Sequence, residues 1–156
     1  MADLSLQSFL DRPFVFSDRP RSVPGDMRAV WRIPVILLLV RSCRGEKATH
    51  EQLHVLSWAL RASEGPETLL RFLDGQLRPE EAVVRFEPAL DRGISLAEGF
   101  GLLARQGRYW SLSEGGKSLL QMVDSDPDLL VAERAVLGAL DGKLTQAAVQ
   151  KMLRRS

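Results

Sequence analysis

The chain has one cysteine, Cys43, and only two histidines, His50 and His54. A single cysteine excludes an internal disulfide framework and a cysteine-cluster zinc site, and it suits a reducing compartment. A charge excess is missing too: 21 Lys and Arg stand against 20 Asp and Glu. The resulting net charge of +1 gives no overall push toward nucleic acid or acidic lipid. Long apolar runs are absent, and the longest, Ile33 to Val40, is far short of a membrane span. The opening stretch MADLSLQSFLDRPFVF carries Asp3 and Asp11 and no basic n-region, so no signal peptide is expected. These absences together lead to the expectation of a soluble, cytoplasmic protein without membrane contact.

What is present reads as globular. At 156 residues, 45% hydrophobic and 26% charged, the chain suits one domain with a real core, or one domain with a small C-terminal extension. Residues 1–28 hold Pro13, Pro20, Pro24 and Gly25 among Phe9, Phe14 and Phe16. They read as an irregular arm whose aromatics dock onto the body or onto a partner. A helix is expected from Pro34 through PVILLLVRSC, since proline suits the first helical turn, and its apolar surround marks it as the central buried helix. Thr49 followed by Gln52 is a capping-box pattern, and Leu53, Leu56, Ala59 and Leu60 then share one face. Pro66 opens a helix over 67–74, with Gly75 at its end. Residues 82–86, Ala-Val-Val-Arg-Phe, read as a strand, and Glu87-Pro88 open a helix through Leu90, Ile94, Ala97 and Phe100.

The stretch from Gly101 to Leu120 organises the rest. Leu102 to Arg105 lead into Gln106-Gly107, and Tyr109-Trp110-Ser111-Leu112 return, which is a hairpin signal. Ser113 then suits the N-cap of a helix through Leu119, Leu120, Met122 and Val123. Beyond it, residues 124–128 form an acidic break expected to cap a helix over 129–140. Asp141-Gly142 turns, and a last helix is expected over 144–153.

Catalytic signals are thin. His50-Glu51-Gln52-Leu53-His54 matches H-E-x-x-H, in which two His at i and i+4 face one way and the Glu activates zinc-bound water. No third His exists, Glu80 and Glu81 sit near Pro79 in an expected loop, and Thr49 as N-cap puts His50 on a first turn that frays. The expectation is therefore a capped helix with His50 exposed and His54 partly packed, with no metal and no cofactor. Gly116-Lys117-Ser118 resembles the end of a phosphate-binding loop, but Ser111 stands where that pattern needs glycine. A His54–Cys43 pair is better explained as two core-edge residues.

DNA binding finds little support. The helix before the hairpin carries Glu87, Asp91 and Glu98 against Arg92, a face that repels phosphate. Residues 1–47, 48–100 and 101–156 carry net charges of +3, −4 and +2. Arg105 and Arg108 in the hairpin suffice for a weak, nonspecific phosphate contact.

The order helix, tight hairpin, Ser-Glu-Gly-Gly-Lys, helix resembles the wing of many prokaryotic winged-helix domains. The segments IPVILLLVRSCRGEKATHEQLHVLSWALRA, PALDRGISLAEGFGLLARQGRYWSLSEGGKSLL and AERAVLGALDGKLTQAAVQKMLRR extend the likeness. Residues 31–155 resemble the small winged-helix middle components of bacterial three-component ABC-ATPase systems, in which an SMC-like ATPase is encoded beside a compact winged-helix protein. The most specific stretch is Lys47 to Arg61, with Leu53-His54 and Trp58-Ala59-Leu60 matching; His50 stands outside the pattern. The resemblance implies anti-phage or anti-plasmid defence, and a non-catalytic adaptor of the ATPase that works with a further effector subunit from the same operon. The expected fold is mainly α (α+β): a winged-helix domain over 29–123, with a β-hairpin wing, and a C-terminal helical extension over 124–156 packed on it. Phe9, Phe14, Phe16, Tyr109 and Trp110 are the expected protein-interface residues, and no catalytic residues are expected. The alternatives are a winged-helix transcriptional regulator and, more distantly, an H-E-x-x-H metallopeptidase.

Overall fold

The computed structural model describes residues 25–154; the arm residues Phe9, Phe14 and Phe16 lie outside them. The described chain is mainly helical, with one small antiparallel sheet. In order come α1 (Gly25–Ser42), a 3-10 turn (Arg44–Glu46), β1 (Lys47–Thr49), α2 (His50–Arg61) and α3 (Gly65–Leu73). A second 3-10 turn (Pro79–Glu81), α4 (Pro88–Gly99), β2 (Leu103–Gln106), β3 (Tyr109–Leu112), α5 (Glu114–Ser125), α6 (Val131–Leu140) and α7 (Gln146–Leu153) follow. No helix among the described residues is long and apolar enough to cross a membrane.

The core is built around α1. Ile36, Leu37, Leu39 and Val40 are each at most 1% exposed, as a helix apolar on nearly every side requires. Helices α2, α4, α5 and α6 all pack on it. The helix starts at Gly25 and not near Pro34, so the end of the expected arm is already helical. Pro34 sits inside, where it forgoes one backbone bond, a loss that surrounding packing can offset.

The sheet runs β1–β3–β2, with β3 in the centre. Thr49 faces Tyr109 across one ladder, and Leu103 faces Leu112 across the other. Gly107, with φ of +59°, supplies the left-handed backbone that the tight connection needs. The three-residue β1 was not expected, and the expected strand over 82–86 is not one: those residues join no ladder among the described residues. Val83 and Phe86 there are 61% and 45% exposed, and no second strand lies beside them to express their β propensity.

Side-chain caps set the starts of α2, α5 and α7. At α2 the Thr49 hydroxyl accepts from Gln52 N–H while the Gln52 side chain accepts from Thr49 N–H, a complete capping box. Ser113 accepts from Gly116 N–H and Thr145 from Ala148 N–H. The acidic break does not cap α6 as expected; Leu130 holds that position in a left-handed conformation without a side-chain cap. Helices α6 and α7 also start two residues later than their sequences suggested, at Val131 and Gln146. They still pack on the body: Gly142 N–H donates to Ser42 O at 3.0 Å, and Gln52 Nε2 to Leu144 O at 2.9 Å.

Candidate functional site

The hairpin carries four of the expected contact residues. Strand alternation turns Trp110 and Leu112 inward and leaves Tyr109 and Ser111 half-exposed. Trp110 is a core residue, 8% exposed, and its indole Nε1 is buried without a hydrogen-bond partner among the described residues. The Arg105 guanidinium lies 5.0 Å from the Trp110 ring centroid, and its Nε donates to Gly107 O at 3.3 Å. Tyr109 is taken up by α7, where its hydroxyl accepts from Gln146 Nε2 at 2.8 Å. That bond, with Arg108 nearby, holds the phenol below its usual pKa. Arg108 lies over the Tyr109 ring and donates to Gln146 Oε1. Both hairpin arginines are thus already engaged by the chain itself.

Helix α4, just before the hairpin, presses Leu90, Gly93, Ile94 and Ala97 inward. A Cβ at Gly93 would lie 2.5 Å from Ile36 Cδ1, so the glycine lets α4 lie close against α1. Its exposed side shows Asp91, Arg92, Ser95 and Glu98, which leaves it net acidic. On the flank, Trp31, Val35, Ile36, Leu39, Leu60 and Leu90 line an apolar groove of about 500 Å³. Trp31 is 72% exposed at this groove, an aromatic the sequence reading did not single out. Glu87 closes the same flank by pairing with Arg32 at 2.9 Å and Arg61 at 3.1 Å.

The two histidines meet an unforeseen third group. Nε2 of His50 lies 2.6 Å from Asp91 Oδ1, Nε2 of His54 lies 2.9 Å from the same oxygen, and the two nitrogens are 3.1 Å apart. Helical spacing puts both rings on one face of α2, and α2 packs beside the first turn of α4 that carries Asp91. His54 is fully buried, deeper than expected, with the Phe86 ring stacked on it at a centroid distance of 4.2 Å. Burial pushes the His54 imidazole below its usual pKa, against the upward pull of Asp91. Burial pushes the Asp91 carboxyl up, but hydrogen bonds from His54 and His50 outweigh it and hold that pKa below the ordinary value. No local signal marked Asp91, because the pairing spans 41 positions; an acidic residue in a first helical turn reads as a partner of the helix dipole.

Glu51, the would-be base of the H-E-x-x-H motif, lines a separate cavity with Arg108, Gln146 and Gln150. Glu80 and Glu81 are not part of the His50–His54–Asp91 group. Cys43 is buried and its thiol is pushed up to about 12 by that burial, which makes it inert at neutral pH. Comparison with family models, with curated proteins and with solved structures finds no match.

Proposed function

We propose that this chain is a non-catalytic winged-helix adaptor that binds a larger SMC-like ABC ATPase and serves anti-phage or anti-plasmid defence. The winged-helix reading is supported by the order α1, β1, α2, α3, α4 and hairpin β2–β3, with β1 returning beside β3. In that arrangement the helix before the hairpin is the one that would read a DNA groove. The observation that carries the adaptor reading is the exposed face of this helix: Asp91 and Glu98 outnumber Arg92, so it would repel a phosphate backbone. The ATPase itself comes from the resemblance of residues 31–155 to the middle components of such systems.

A DNA-binding regulator is the second reading, and it draws on Arg105 and Arg108. Both are exposed but held over Trp110 and Tyr109 respectively, so each must give up a contact within the chain to reach a phosphate. The metallopeptidase reading needs a base beside the metal ligands, and Glu51 faces another cavity.

Co-expression with the proteins encoded beside it, followed by size-exclusion chromatography, tests the adaptor. The expected result is a stable complex with the ATPase, weakened by deleting residues 1–20. Trp31→Ala should weaken it about tenfold or more without unfolding the chain, since the exposed indole contributes little to the core. Elution of the chain alone beside every product of its operon overturns the reading.

A further inference from the structure

We propose that His50, His54 and Asp91 bind one divalent transition-metal ion, with Zn²⁺ the ion their donor set suits, and that the ion clips α2 to α4. Two imidazole nitrogens and one carboxylate oxygen are a common ligand set for zinc, and a bound water completes four-coordination in such sites. The three donor atoms converge on one point, with separations of 2.6, 2.9 and 3.1 Å. Bonds of about 2.0–2.1 Å in a tetrahedron place ligand atoms about 3.3 Å apart, so the donors need only spread by a fraction of an ångström.

The sequence argued against a metal from the lack of a third ligand and from the fraying first turn of α2, and the structure bears on each. The third ligand comes from α4, on the first turn after Pro88. The first turn of α2 is not left to fray, because the complete capping box holds it and Thr49 is itself paired to Tyr109 in the sheet. Phe86 covers His54, while His50 and Asp91 keep side chains 40% and 50% exposed, so the fourth position faces water.

Uptake has a signature. Without metal the Glu87 N–H points at His54 Nδ1 from 3.3 Å, which leaves the imidazole proton on Nε2 for Asp91. A neutral imidazole that ligates through Nε2 carries its proton on Nδ1, so the ion shifts the tautomer and gives up that long bond. Glu51 lines the separate cavity, so the motif's carboxylate is not among the ligands, and the ion joins α2 to α4.

The test uses the full chain with any affinity tag removed, stripped with chelator and titrated with Zn²⁺. The expected result is one ion per chain, a rise in Tm, and transfer of the His54 proton from Nε2 to Nδ1 in ¹⁵N spectra. Asp91→Asn and His50→Ala, both at the exposed edge and expected to fold, should each weaken zinc by at least about a hundredfold and abolish the Tm gain. Glu51→Gln should bind as the wild type does. Saturation well below one ion per chain overturns the proposal, as does equal binding by wild type and both edge variants, an adventitious ion only. A loss of binding in Glu51→Gln matching that of the edge variants places the ion elsewhere and also overturns it.

Discussion

Gln52 donates from Nε2 to the carbonyl of Leu144 at 2.9 Å, a bond that spans 92 positions. The same amide accepts from Thr49 N–H at 2.9 Å, so one buried side chain caps α2 and holds the turn before α7 against it. Removing it leaves a buried N–H and a buried carbonyl without partners. Gln52→Ala should cost about 2–4 kcal/mol in chemical denaturation. Gln52→Glu keeps an acceptor for Thr49 but loses the donor and sets a carboxylate against Leu144 O, so it should be at least as damaging. Wild-type stability in Gln52→Glu would mean that the Leu144 bond contributes nothing.

Two glycines in helices should respond in opposite directions. A Cβ at Gly116 would lie 2.2 Å from Leu102 O, a carbonyl that Ser113 N–H also holds at 3.2 Å and which cannot move freely. Gly116→Ala should therefore destabilise the protein by about 1–3 kcal/mol. At Gly138, on the exposed side of α6, a Cβ meets nothing within 4 Å. Gly138→Ala should stabilise by up to about 1 kcal/mol through helix propensity and a less flexible unfolded chain. Paired thermal melts that move the two variants in the same direction would contradict this packing.

Local chemistry that acts over three or four residues was legible at several helix starts and at the hairpin turn, though not at α6, where the acidic break supplies no cap. The Thr49–Gln52 box, the Ser113 cap, the Gly107 turn and the Pro88 helix start each follow from short-range bonding rules, and each stands where those rules put it. Long-range partners were not legible. Lys47 to Thr49 are too few to show strand alternation and are a strand only because β3 lies beside them. Residues 82–86 carry strand-forming side chains but meet no second strand, so propensity misled there. Pro34 misled because proline favours a first turn, yet the packing of α1 carries the helix past it. Asp91 reached the histidines only through the contact of α2 with α4, which no window of sequence contains.

Cys43 makes a pH prediction. Burial in the core pushes its thiol from the ordinary 9.0 up to about 12. Below about 9 the thiol is protonated in folded and unfolded chain alike, and the shift has no effect. Above about 9 the unfolded chain loses the proton and the folded one keeps it, so stability falls as pH rises toward 12. Cys43→Ala should flatten this alkaline decline while lowering stability at neutral pH. At pH 8 a thiol reagent should label the wild type only after denaturant is added, and rapid labelling of the native chain would refute the burial.

The last prediction separates adaptor from regulator by salt. Each phosphate neutralised by a cation contributes about −0.9 to the slope of log K against log salt concentration. On the face formed by α4 and the hairpin, Asp91 and Glu98 oppose Arg92, which leaves Arg105 and Arg108 as the cations positioned for phosphate. Arg108 must first release Gln146 and Tyr109, and Arg105 must leave the Trp110 ring. At most two contacts then form, so the slope for duplex DNA should be no steeper than about −2, with no sequence preference. Replacing both arginines with alanine should remove the remaining binding at low salt. The fluorescence anisotropy of a labelled duplex across a salt series measures both quantities. A slope near −6, or nanomolar preference for one sequence at physiological salt, would require a cationic surface that this face does not have, and the DNA-binding regulator would then replace the adaptor.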